Sequence, residues 1–229
     1  MSAVSTPEGS SPPAASASPR VAIATPVTRV ATPTAKASRP PARIVVANGK
    51  GTSLSIIDAN ERQLIETIDL LVTPRDVAVA PDGRYAFITT GESEAKSVIL
   101  FDLLGRQRIG EISVGARPWG IILVPTGQNA FVANSGADTV SIVDSSRRSE
   151  VAQVRVGREP RGLAFVPRGR GLVYVANFGD DSVSILDPTT RQVVGKVPVG
   201  RRPVALAPTP DGRSVYVANS HGNSITVID

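Results

Sequence analysis

Five aspartates mark off this chain at nearly even intervals. Asp58, Asp102, Asp144, Asp187 and Asp229 are separated by 44, 42, 43 and 42 residues, by subtraction of their numbers. Each closes an alternating run such as Ser182-Val183-Ser184-Ile185-Leu186-Asp187, and ahead of it stands a second run of the type Val173-Tyr174-Val175-Ala176-Asn177. That second run returns as Ile44 to Asn48, Ala130 to Asn134 and Val215 to Asn219, and in divergent form as Ala86-Phe87-Ile88-Thr89-Thr90. A period of about 40 residues built only from short β-type runs predicts modules that stack on their neighbours to bury a shared core.

Each period holds four such runs, with Gly, Pro, Asn or Asp between them as turn residues. Pro74, Pro118, Pro160 and Pro203 keep one phase of the repeat, and Pro81, Pro125, Pro167 and Pro210 keep another. The prediction is an all-β fold: a β-propeller of four-stranded antiparallel blades, four to five of them in this chain. With the run before Pro-Asp-Gly as the innermost strand, residues 43–70 supply strands two to four of a first blade. Three whole blades follow, and residues 203–229 supply strands one to three of a last. The ring is then two strands short of five complete blades. Val21 to Thr25 and Val27 to Ala31 come in the right order to fill those two places. A fragment of a larger ring, or a partial ring that closes by self-association, are the alternatives, because unpaired edges invite pairing.

The motifs Tyr174-Val175-Ala176-Asn177, Ser182 to Asp187, Val197-Pro198-Val199-Gly200-Arg201-Arg202-Pro203 and Pro210-Asp211-Gly212-Arg213 resemble the YVTN-type β-propeller repeat of bacterial and archaeal surface-layer and periplasmic proteins. The resemblance covers residues 43–229. It implies an extracytoplasmic location, in the periplasm or at the cell surface, and one periplasmic member is associated with single-stranded DNA. Seven blades are common in that family and this chain is too short for seven, so the resemblance leaves ring closure open.

Residues 1–42 contain eight of the nineteen prolines and no aromatic residue. Such a Pro/Ala/Ser/Thr-rich tail buries too little apolar surface to offset its ordering entropy and is expected to be disordered. It lacks the basic start and apolar run of a signal peptide, and no stretch of the chain reaches the length of a membrane span. The tail also carries Arg20, Arg29, Lys36 and Arg39 against Glu8, a net +3 of the total +5. The repeats are therefore close to neutral, which weakens a reading based on bulk charge alone. Hydrophobic residues make up 41% and aromatics 4%, so the core is expected to be Val, Ile, Leu and Ala.

There is no cysteine and one histidine, which removes thiolate chemistry and His-pair metal motifs. No cofactor, metal site or catalytic residue is assigned. The Gly-x-x-Pro turns bring Arg75, Arg117, Arg158, Arg161, Arg201 and Arg202 towards the mouth of the channel, with Trp119, the single tryptophan, among them. Arginines beside an aromatic plate suit an anion or a single strand of nucleic acid. The plainer reading is that they solvate loops and pair with Glu159, Asp180 or Asp181. His221 lies in a turn and joins the candidate ligand-binding set. Asp180-Asp181 lacks calcium-loop spacing, and the repeating terminal aspartates are expected to cap turns.

Preserved turns and core with everything else scattered point to a non-catalytic binding or scaffold propeller, its partner protein or polyanionic ligand held on the loop face. Single-stranded nucleic acid on the Arg/Trp rim is the alternative. A lactonase-like hydrolase is the second alternative and would have to draw on His221 with Glu92 or Glu94.

Overall fold

The computed structural model describes residues 42–92 and 94–229; the Val21 to Ala31 runs lie outside the described residues. Strand β1 (Arg43–Asn48) pairs with β2 (Ser53–Asp58), and β2 with β3 (Gln63–Asp69). The second sheet holds β4 (Pro74–Val79), β5 (Tyr85–Thr90), β6 (Ser97–Asp102) and β7 (Gln107–Ser113). The third holds β8 (Pro118–Leu123), β9 (Asn129–Asn134), β10 (Thr139–Asp144) and β11 (Ser149–Arg155). The fourth holds β12 (Pro160–Val166), β13 (Leu172–Asn177), β14 (Ser182–Asp187) and β15 (Gln192–Pro198). The fifth holds β16 (Pro203–Pro208), β17 (Val215–Asn219) and β18 (Ser224–Ile228). All five are antiparallel meanders, and no helix occurs among the described residues. This is the predicted all-β fold, a propeller of five blades, the first and last of three strands each.

The core lies between blades rather than inside one. Because side chains alternate along a strand, each blade has two apolar faces. Val45, Ala47, Leu54 and Ile56 of blade one pack on Ala86, Ile88, Ile99 and Phe101 of blade two. Phe87, Val98 and Leu100 on the far side of blade two pack on Ala130, Val132 and Val143. Phe131, Ala133, Val140 and Ile142 then pack on Val173, Val175 and Leu186. Burying a side chain of this size contributes about 1.5–3 kcal/mol, so each junction is a substantial part of the stability of the blades that form it.

Polar positions repeat with equal fidelity. The Nδ2 groups of Asn48, Asn134, Asn177 and Asn219 each donate to two hydroxyls on the next strand, for example Ser182 and Ser184 at 3.1 and 2.9 Å from Asn177. The terminal aspartates do cap turns: Asp58, Asp102, Asp144 and Asp187 each accept from backbone N–H groups two and three residues on.

The inner strands β4, β8, β12 and β16 lie side by side. β8 and β12 approach so closely that a Cβ on Gly120 would stand 2.2 Å from the Arg161 carbonyl oxygen. One on Gly162 would stand 2.5 Å from that of Val204. Glycine is what lets neighbouring backbones meet here.

Candidate functional site

The start of each inner strand is irregular. Pairing runs from Pro74 to Asp76, from Pro118 to Ile121, from Pro160 to Leu163 and from Pro203 to Ala205 with a register shift each time. Arg75, Trp119, Arg161 and Val204 fall inside these shifts. Such irregularities re-aim side chains at the rims of sheets, and here the first three come together. The Arg75 guanidinium carbon lies 3.8 Å from the centroid of the Trp119 ring, and that of Arg161 lies 4.3 Å from it. Arg161 also sits 3.2 Å from the centroid of Phe178, over which Arg202 lies at 4.7 Å. Arg75, Trp119, Arg161, Phe178 and Arg202 thus form an alternating arc of cations and rings across blades two to five.

The backbone around the arc is held in place by off-pattern residues. Thr89, where the other repeats have Ala, donates its hydroxyl to the Trp119 carbonyl at 2.6 Å and accepts from the Asp76 N–H. Asp76 accepts from the Ile121 N–H at 3.0 Å, bridging blades two and three. Burial raises the Asp76 carboxyl pKa, and the N–H groups of Ile121 and Val77 oppose that shift. Arg117, Glu159 and Arg202, each immediately before a proline, hold φ of 52, 47 and 56°. That left-handed conformation is costly for a residue with a Cβ. It is fixed from both sides: the Arg202 N–H donates to Asp181, and its carbonyl accepts from Ser220. The Glu159 carbonyl in turn accepts from the Phe178 N–H, which sets Phe178 beside Arg161.

Arg161 is the electrostatic centre. Burial lowers its pKa below the usual guanidinium range. Glu159, 3.7 Å away, works against that, while Arg75, Arg202 and Arg117 reinforce it. Its Nε is buried with no hydrogen-bond partner among the described residues. A cleft of about 90 Å³ opens beside the arc between Arg75, Gly91, Glu92, Arg117 and Trp119. At ~30 Å³ per water that is room for about three waters, a footprint suited to a small anionic group. Wider clefts of about 310 Å³ beside Val45 and Leu103 and about 490 Å³ beside Phe165 and Pro167 lie at the opposite strand ends. The arginine at the second is already paired, Arg170 to Asp187 at 3.0 Å.

Of the residues expected at the mouth, Arg75, Arg117, Trp119, Arg161 and Arg202 come together. Arg158 does not join them: it is bound to Asp180 at 2.7 Å and to the Gly179 carbonyl. Arg201 is exposed on the same turn as Arg202. His221 meets Phe178 edge-on at 5.9 Å and shares a hydrogen bond with Ser220. Phe178 itself was not among the expected residues. Its signal in the sequence is a large ring directly after Asn177, where other repeats place Gly or Ser. No hydrogen bond or ion pair joins His221 to Glu92 or Glu94 among the described residues. No group of three or more His, Asp or Glu is placed there to hold a metal ion.

Comparison with known proteins agrees on architecture. A YNCE-like beta-propeller family model matches residues 168–229, which span β13 to β18. The likeness is one of fold. A functionally unknown protein from Desulfotomaculum acetoxidans DSM 771 superposes with a TM-score of 0.67 at 19% identity, over 82% of this chain and 65% of that one. This propeller therefore spans about two thirds of that neighbour's length. A chain of Kuenenia stuttgartiensis Hydrazine Synthase superposes at 0.48 and 19% identity over 81% of this chain and 92% of that one. No curated protein matches the sequence. Among the described residues no helix is long and apolar enough to cross a membrane.

Proposed function

We propose that this protein is a non-catalytic binding propeller of the YVTN-repeat type, working outside the cytoplasm, that holds an anionic ligand or an anionic partner surface on the arginine–aromatic arc. The observation that carries this is Arg161: a half-buried guanidinium with three like charges and a single carboxylate, that of Glu159 at 3.7 Å, around it and an unpartnered Nε. Crowding like charges in a partly desolvated place is unfavourable on its own, and an anion placed among them reverses the sign of the interaction. Stacking on Trp119 and Phe178 fixes the guanidinium planes and leaves their N–H edges to donate, the geometry that phosphate and carboxylate groups accept.

The rings already carry guanidinium groups over them. This favours contact through charge over base stacking on Trp119. Extracytoplasmic placement is supported by the repeat's resemblance to surface-layer and periplasmic propellers.

The test is retention of the chain on immobilised inorganic polyphosphate and on a single-stranded oligonucleotide across a salt gradient. The reading predicts binding to polyphosphate that weakens steeply with salt, because anion contacts release counterions, and that is lost in Arg161→Met. Preferential retention on the oligonucleotide at matched charge would instead support recognition of nucleic acid. Salt-independent binding, or none, would remove the anion reading.

A further inference from the structure

Every junction between blades joins one kind of face to another. The face looking towards the next blade carries the third and fifth residues of the Tyr-Val-Ala-Asn strand and the second and fourth of the following one. The face looking back carries the complementary set. Four junctions use up four faces of each kind, and one of each remains. On blade one the backward face exposes Ile44 and Val46, at 50% and 37%. On blade five the forward face exposes Tyr216, Ile225 and Val227, at 47%, 68% and 49%. Val132 and Val175 match Val46, and in blade three Phe131, Val140 and Ile142 match Tyr216, Ile225 and Val227, all at 1% or less; in blade four the matching Tyr174 and Ile185 are half-buried and Val183 is buried. The other side of blade five shows the contrast within one sheet, with Val215 and Val217 at 2% and 0%.

The two uncovered faces are thus the two halves of an interface that this chain already makes four times. Among the described residues, packing of comparable extent links β1 to β4, β4 to β8, β8 to β12 and β12 to β16, but does not link blade five back to blade one. A second copy of the chain carries the pattern that complements each of these faces.

We infer that this chain self-associates head to tail, the forward face of blade five in one copy packing on the backward face of blade one in a second. The contact is heterologous: it closes into a ring if the rotation permits and otherwise adds further copies.

The test is sedimentation of the 229-residue chain over a concentration series, with Ile44→Glu and Ile225→Glu. Both positions are surface residues, so the variants should keep the wild-type circular dichroism; Val46→Lys and Val227→Lys serve as second choices. Wild type should show species heavier than a monomer. Each variant alone should be monomeric, with association weakened at least about tenfold by the buried carboxylate. Mixing the two variants should restore a one-to-one dimer, because each supplies the face that the other lacks. A wild-type monomer at all concentrations would overturn the inference, as it would if the chain's own N-terminal residues covered these faces. Self-association retained by either variant alone would also overturn it, since that is the behaviour of a symmetric contact.

Discussion

The Arg161 guanidinium lies 3.2 Å from the centre of the Phe178 ring, and the backbone of Phe178 is tied to the Glu159 carbonyl two residues before Arg161. The strand that supplies the cation therefore also positions the ring on which it rests. The same arrangement extends outward to Trp119 on one side and Arg202 on the other. The arc is consequently a property of the blade packing and not of one loop.

Arg202→Gly separates binding from stability. The substitution removes a cation–ring contact of about 0.5–1 kcal/mol and relieves a left-handed residue that costs about 1–2 kcal/mol. Urea unfolding should place the variant within about 1 kcal/mol of wild type. Polyphosphate affinity should fall, and the slope of its logarithm against the logarithm of salt should shrink by about one.

Gly120→Ala acts the opposite way. A Cβ 2.2 Å from the Arg161 carbonyl oxygen cannot be absorbed by a side-chain movement, so blades three and four must part. Overpacking of this kind costs about 1–3 kcal/mol. Thermal unfolding should show the loss, and the emission of Trp119 should shift because its strand has moved.

Asn177→Ala should cost more than Asn48→Ala. Both amides donate to two serine hydroxyls, but the Asn177 side chain and its two serines are fully buried while the Asn48 set is half-buried. Removing the donor at Asn177 leaves those hydroxyls out of reach of water, at a cost of about 1–3 kcal/mol. Chemical denaturation of the two variants side by side reads the difference.

Acid stability should depend on the pair that takes Arg158 out of the arc. Hydrogen bonds from the Arg158 side chain and backbone, with Lys196 adding to them, hold the Asp180 carboxyl at about 2. A carboxyl depressed in the fold binds its proton more readily when unfolded, so its stabilisation is complete above the ordinary carboxylate range and is lost as pH falls towards about 2. Arg158→Gln should flatten that part of the stability–pH curve. Binding to polyphosphate should be little changed, since Arg158 stands outside the arc.

Much of this molecule was legible because its signals are local and repeated. The Asn177 and Asp187 phases located strands, turns and the two missing strand positions without reference to any contact. Arg75, Arg117, Arg161 and Arg202, which flank the turn prolines, share one rim for the same reason. What stayed hidden was decided by tertiary geometry. Arg158 and Arg161 look alike in sequence, yet Asp180 is reached by one and Phe178 by the other. Thr89 belongs to the divergent repeat in sequence, and only the fold shows that it and Asp76 bridge to the strand that carries Trp119. The roles of Gly120 and Gly162 follow from how near two backbones come, which no spacing in the sequence expresses.

The central claim is that the arc of Arg75, Trp119, Arg161, Phe178 and Arg202 is where an anion binds. Trp119 is the chain's single tryptophan, so its fluorescence reports on that place alone. Titration with inorganic polyphosphate at low salt should change the emission saturably, and Arg161→Met should abolish the change. Polyphosphate that binds while leaving Trp119 emission untouched, or that binds Arg161→Met as well as wild type, would contradict the account.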